Sequence, residues 1–168
     1  MLFLRTLTGL ALLLGLAVST PGNAQGEAFI SDLSYLDRQF MQQQRESLDD
    51  LAARNLGNQF SGERDRDLAL LQRMLDEGLV RDDQTRELQA MGIIMGDLLA
   101  AELGLDWVIY EDRLGRTRAL RYKSSDNYLF PVTMIARRRE AGNRTPVIEV
   151  YRKAQESLSA VIPALPFR

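Results

Sequence analysis

The residues that could do chemistry are few, and two of the usual ones are missing. The chain has no histidine and no cysteine. That removes Ser-His-Asp and Cys-His nucleophiles, His-ligated zinc, haem held on histidine and thiol redox chemistry. Its two lysines, Lys123 and Lys153, stand in no Ser-x-x-Lys arrangement. Carboxylates remain. Glu111-Asp112 is the best placed pair, but adjacent acids between two strands also read as ordinary turn residues. Asp65-x-Asp67 falls on a helix, where positions two apart point about 200° away from each other and do not converge on an ion. Asp97 lies in an apolar helix, where a backbone or arginine partner is the ordinary role of a carboxylate. A glycosidase would need two acids on separate elements across a cleft, ~5–9 Å apart. Gly92-x-x-x-Gly96 lies inside a helix and is no phosphate loop. No residue set implies a cofactor or a metal.

Binding groups are better represented. Arg137, Arg138 and Arg139 are consecutive, and a helix fans them over most of its circumference. They suit an anion or acidic partner, or else simply complement the negative end of their helix. Trp107 and Asp112 bracket a strand and its turn, and are the other candidates for partner contact. Residues 1–104 carry 9 basic and 16 acidic side chains, a net −7, and residues 105–168 carry 12 and 7, a net +5. The basic half could meet an acidic protein or a small ligand, or the two halves could neutralise each other on one surface. The chain as a whole is acidic and has no basic stripe interleaved with aromatics, which argues against nucleic acid.

The elements that must position these groups centre on residues 82–122. From Leu88 to Leu103 the only polar side chains are Gln89, Asp97 and Glu102. A helix this apolar must be covered on most sides. Asp82 or Asp83 is its expected cap and Gly104 its stop. Gly92, Gly96 and Ala100 form a small-residue stripe. Each Gly costs ~1 kcal/mol of helix propensity, so close packing against another element is the expected compensation. Trp107-Val108-Ile109-Tyr110 reads as a strand, residues 111–116 as a turn with Gly115 available for positive φ, and Thr117–Tyr122 as the return strand. A hairpin alone is marginal, so a further strand is expected at Tyr128-Leu129-Phe130.

Before this core, residues 25–30 read as a loose lead-in. Ser34 and Asp37 form a capping-box pair, opening a helix that ends at Gly57. Leu33, Leu36, Phe40, Gln44, Leu48, Leu51 and Asn55 are its expected inward stripe. A second helix runs over 63–77 with Leu68, Leu71, Met74 and Leu75 inward, and Gly78 stops it. After the sheet, Pro131 opens a helix closed by Gly142, and Thr145-Pro146 opens a last one with Val147, Val150, Tyr151, Ala154 and Leu158 inward. Pro163–Arg168 is a tail.

Arg5, the apolar run Leu7–Val18 and the small residues Gly22-Asn23-Ala24 have the layout of a secretory signal peptide, cut after Ala24. The run is shorter than the ~20 residues a membrane span needs, and Asp97 interrupts the other apolar helix. A periplasmic location is therefore expected. Residues 25–168 should then form a single α+β domain, with about five helices packed around a small antiparallel sheet of two or three strands. With no cysteine, such a domain would stand on packing alone.

The run LQAMGIIMGDLLAAELGLDWVIYEDRLGRTRALRY, followed by LFPVTMIARRREAG, resembles the bacterial domain-of-unknown-function 3806 family. The ordered features are Gly92, Gly96, Leu103, Gly104, Trp107, Asp112, Gly115, Phe130, Pro131, Ile135, Arg138 and Gly142, over about 80–160. The N-terminal helices lie outside it. The resemblance implies a small α+β domain and no particular activity. The functional expectation is therefore a non-enzymatic periplasmic binding or protein-interaction module. The competing class is a carboxylate-dependent enzyme acting on cell-wall glycans. A pocket lined by Trp107, Tyr110 and the arginine cluster would favour the first. Asp97 or Asp112 facing another acid across a cleft would favour the second.

Overall fold

The computed structural model describes residues 28–158 and 161–162. The expected leader and the tail from Pro163 lie outside the described residues. The elements run β1 (Phe29–Asp32), α1 (Tyr35–Leu56), α2 (Arg64–Asp76), α3 (Thr85–Leu103), β2 (Asp106–Asp112), β3 (Gly115–Arg121), β4 (Tyr128–Leu129), α4 (Pro131–Glu140) and α5 (Val147–Leu158). The class is α+β, as the sequence implies, but the antiparallel sheet has four strands, in the order β1-β2-β3-β4. The additional strand is β1, which begins in the stretch read as a lead-in and runs two residues past it. Its four residues pair with Val108–Glu111 of β2.

Local signals account for most boundaries. Ser34 caps α1 through a reciprocal box: its hydroxyl accepts from the Asp37 N–H at 3.1 Å, and the Asp37 carboxylate accepts from the Ser34 N–H at 3.2 Å. Gly57 ends α1 in the left-handed conformation. The inward stripe of α1 is only partly the expected one: Gln44 and Leu48 are buried, but Leu36 is exposed, and Asp37, Met41 and Ala52 are buried as well. Asp37 turns that face inward by bonding to the sheet, as described below. α2 and α5 bury the faces their sequences indicate. α3 starts one or two residues later than expected, with Gln84 at the N-cap position and not Asp82 or Asp83. Asp82 instead receives Arg139 at 2.6 Å and Arg144 at 3.3 Å.

The hairpin turn is only Arg113-Leu114, with Asp112 opposite Gly115, and Gly115 has φ 130°. Asp112 closes this turn by accepting the Leu114 N–H at 2.8 Å. β3 then alternates. Arg116, Arg118 and Leu120 share a face with Ile109 and Trp107, while Thr117, Ala119 and Arg121 share the other with Tyr110, Val108 and Asp106. The first face meets the helices: Leu120 belongs to the main core, along with Leu88, Met91, Met95, Leu99 and Tyr151 of α3 and α5.

The glycine stripe explains the tightest contact in the fold. A Cβ on Gly92 would collide with the backbone oxygens of Pro131 and Val132, so α4 lies directly on α3 there. A Cβ on Gly96 would lie 2.5 Å from the Trp107 ring and 2.8 Å from the Pro131 ring. Close approach is what these glycines provide.

Candidate binding site

Trp107 is the hub of the polar side of the fold. Its ring lies on the bare backbone of Gly96, and its indole N–H donates to Asp97 at 3.0 Å. Asp97 also takes a two-pronged bond from Arg45 of α1, at 2.7 and 2.9 Å. The carboxylate in the apolar helix thus has the arginine partner that its setting suggested, and it joins α1, α3 and β2.

A second carboxylate clamp lies at the start of α1. Asp37 accepts from Arg116 at 2.6 and 3.0 Å and from Arg118 at 2.8 Å, besides its bonds to Ser34. The Arg116 guanidinium holds the Asp37 carboxyl well below the usual carboxylate range. Burial opposes that shift, and the Ser34 bonds reinforce it. The Arg118 guanidinium also stands 4.3 Å above the Phe40 ring. Two other acids are similarly occupied. Asp67 is buried and accepts the N–H groups of Ser61 and Gly62. Glu102 accepts from Tyr151, Gln155 and Arg64. Burial, together with Glu102, pushes the Tyr151 hydroxyl far above the ordinary tyrosine value.

Next to Trp107 is an open depression of about 420 Å³ at one end of the sheet. Trp107, Val108 and Leu33 supply apolar wall, and Arg38, Arg121 and Lys123 supply positive charge. Asp32 and Asp106 also line it. Arg121 is aimed by bonds from its Nε and Nη2 to the carbonyls of Ser125 and Ser124, at 2.7 and 3.0 Å. Arg38 is held by the Leu33 carbonyl. Those acceptors are neutral, so they orient the two guanidinium groups without cancelling their charge. Lys123 adopts φ 50°, uncommon for a residue with a side chain, and its ammonium lies 5.1 Å from the Tyr122 ring.

The sequence-derived candidates do not gather into one site. Trp107 lines the depression. Asp112 is at the far end of β2, closing the hairpin turn. The three arginines of α4 diverge: Arg137 is exposed, Arg138 bonds to the Met134 carbonyl of its own helix, and Arg139 is pinned to Asp82. Tyr110 lies on the sheet face opposite Trp107, edge-on to Tyr128 at 5.0 Å and to Phe130 at 5.3 Å. Arg38, Arg121 and Lys123 were not among the binding candidates the sequence offered. Their only signal is membership of separate elements that the sheet brings together.

Among the described residues no group of three or more acidic side chains is placed to hold a metal ion, and no helix is long and apolar enough to cross a membrane. The family model described as Domain of unknown function (DUF3806) matches residues 67–151. The chain belongs to that family. The match starts within α2, earlier than the resemblance suggested, so the second helix is part of the family's unit. No curated protein matches the sequence. A crystal structure from Bacteroides thetaiotaomicron has the same fold, with a TM-score of 0.70 at 20% identity. The likeness covers 82% of this chain, and the chain spans half the length of that protein.

Proposed function

We propose that this chain is a non-enzymatic periplasmic binding module that takes an acidic protein partner at the Trp107 depression. The observation that carries the reading is the lip of the depression: Arg38, Arg121 and Lys123 converge there with charges that no carboxylate in the wall neutralises by a close ion pair. Outside the wall, Asp126 lies 3.9 Å from Arg121 and is almost wholly exposed. Arg38 and Lys123 make no ion pair among the described residues, and Arg121 only this long, exposed one; such charge beside an aromatic and two aliphatic side chains suits an acidic surface with an apolar centre. The left-handed Lys123 carries a conformational cost that a role at this lip would explain.

The carboxylate-enzyme reading has less support. Asp97 and Asp112, its expected acids, are held by Arg45 with Trp107 and by the turn backbone. Asp32 and Asp106 share a sheet face at the depression, but both are exposed, and a general acid needs shielding from water.

The test is capture of partners by the tagged protein from a periplasmic fraction, beside the double variant Arg121→Glu/Lys123→Glu and the variant Arg137→Glu. The reading expects an acidic partner held by the wild type and by Arg137→Glu and lost in the double variant. A partner that survives the double variant, or a protein absent from the periplasm, would overturn it.

A further inference from the structure

A second cavity lies at the opposite end of α3, between its first turn and the middle of α1. It measures about 160 Å³. Leu48, Leu51, Leu79 and Ala90 form its apolar wall. Gln44 lines it too. This side chain is 2% exposed, and its amide nitrogen has no hydrogen-bond partner. A buried donor left unmade is costly, and native folds rarely keep one without a reason.

The adjoining helix end is also unsatisfied. Gln84, the N-cap of α3, makes no side-chain bond to the helix; its amide oxygen accepts from the Arg81 N–H at 2.8 Å instead. Among the described residues nothing accepts from the N–H groups of Arg86 and Glu87, which belong to the cavity's lining. Those groups and the helix dipole favour a carboxylate. Arg54 and Arg86 add positive charge at the same lip. Glu87, on the same turn, adds a negative one. Among the described residues Arg86 and Glu87 make no ion pair with each other or with anything else. A bare anion would be repelled by Glu87, and a bare cation by the arginines. A molecule bearing both charges would meet both.

We propose that this cavity binds a free amino acid with a short apolar side chain. Its carboxylate would lie at the α3 N-terminus, its ammonium at Glu87 and its side chain against Leu48 and Ala90. The size fits, since a cavity of about 150 Å³ admits a molecule as large as benzene. Gln44 supplies the buried amide that reads the polar end.

The experiment is amide-resolved NMR titration of the purified protein with glycine, L-alanine and D-alanine, and separately with acetate and methylammonium. An amino acid should shift the Gln44 side-chain NH₂ and the backbone N–H signals of Arg86 and Glu87. Acetate and methylammonium should each bind at least about tenfold more weakly. Gln44→Leu should lose binding by about the same factor while raising Tm, because it removes the unmade donor without opening a void. Glu87→Gln should weaken binding and lower Tm only slightly, by the helix-dipole interaction it gives up. No shift with any amino acid would overturn the proposal. So would acetate binding as well as alanine, or Gln44→Leu binding like the wild type.

Discussion

The two flanks of α3 are held by opposite means. On the flank facing α4, Gly92 and Gly96 remove side chains so that the backbone of Pro131 and Val132 and the ring of Trp107 can lie directly on the helix. On the flank facing α1, one residue past Gly96 and so about 100° round the helix, Asp97 holds Arg45, and beyond it Asp37 holds Arg116 and Arg118. The first flank works by the absence of atoms and gains dispersion from close contact. The second works by charge-assisted bonds of fixed geometry. The first should be sensitive to added volume and indifferent to pH. The second should tolerate volume and respond to lost charge.

The largest expected effect is at the glycine seam. In Gly92→Ala the new methyl would lie 2.6 Å from the Val132 oxygen and 2.8 Å from the Val132 carbonyl carbon. Both are backbone, so α4 must move as a body. Overpacking of this kind outweighs the ~1 kcal/mol of helix propensity gained, and a net loss of about 3 kcal/mol is expected in denaturant unfolding. Gly96→Ala meets the Trp107 and Pro131 rings rather than backbone; a tilt of the Trp107 ring relieves part of the clash at the expense of its bond to Asp97, and a cost of about 2 kcal/mol is expected. Equal costs at the two positions would show that the seam yields as a whole, with backbone and side chain alike.

Next is the Asp37 clamp. Asp37→Asn keeps a capping side chain at the third position of α1 and removes the charge that two arginines share. Arg116 is about half exposed, with 45% of its side chain accessible, so water recovers part of the loss. A cost of about 2 kcal/mol is expected. The pH dependence separates it from the seam. Asp37 is depressed in the folded state, so its contribution is fully present above the unfolded value of about 4 and is lost as pH falls through the lower folded value. The gap between wild type and Asp37→Asn should be flat from neutral pH down to about pH 5 and close at lower pH. The Gly92→Ala gap should show no such closing. A clamp gap that stays constant into strong acid would refute the charge assignment.

The same contrast explains what the sequence showed and what it hid. Ser34 and Asp37, Gly57, Gly104, Pro131 and Gly142 are local signals, each read within a turn of the residue it governs. Gly142 is the left-handed residue after α4, and the N–H groups of Gly142 and Asn143 close back on Arg139 and Arg138. The seam was half legible: the glycine stripe announced a close approach, but not that the visitor would be α4 and Trp107. The clamps were not legible. Asp37 finds its arginines 79 and 81 residues away, and Asp97 finds Arg45 at 52. No periodicity records such pairs. β1 was missed for a related reason. Four residues, Phe29 to Asp32, make a strand only because β2 offers them an edge. The depression lip comes from β3, its following turn and α1, so it exists only once the sheet has formed.

The smallest effects test whether the α4 arginines belong to either kind of flank. Arg139 keeps only 10% of its side chain exposed and bonds Asp82 at 2.6 Å, so it ties the end of α4 to the start of α3 across the top of the glycine seam. Arg137 is exposed and makes no ion pair among the described residues. Both lie in the last turn of α4, where reversing either charge sacrifices the same favourable dipole interaction. Only Arg139→Glu also sets a carboxylate against Asp82. A loss of about 1–2 kcal/mol is expected for Arg139→Glu and less than about 0.5 kcal/mol for Arg137→Glu, read as Tm shifts at low salt. Added salt should shrink the Arg139→Glu penalty, since Asp82 is one-third exposed and its repulsion is screened. If the two reversals cost the same and respond to salt alike, the Arg139–Asp82 pair contributes nothing beyond the dipole. α4 would then be held by the seam alone.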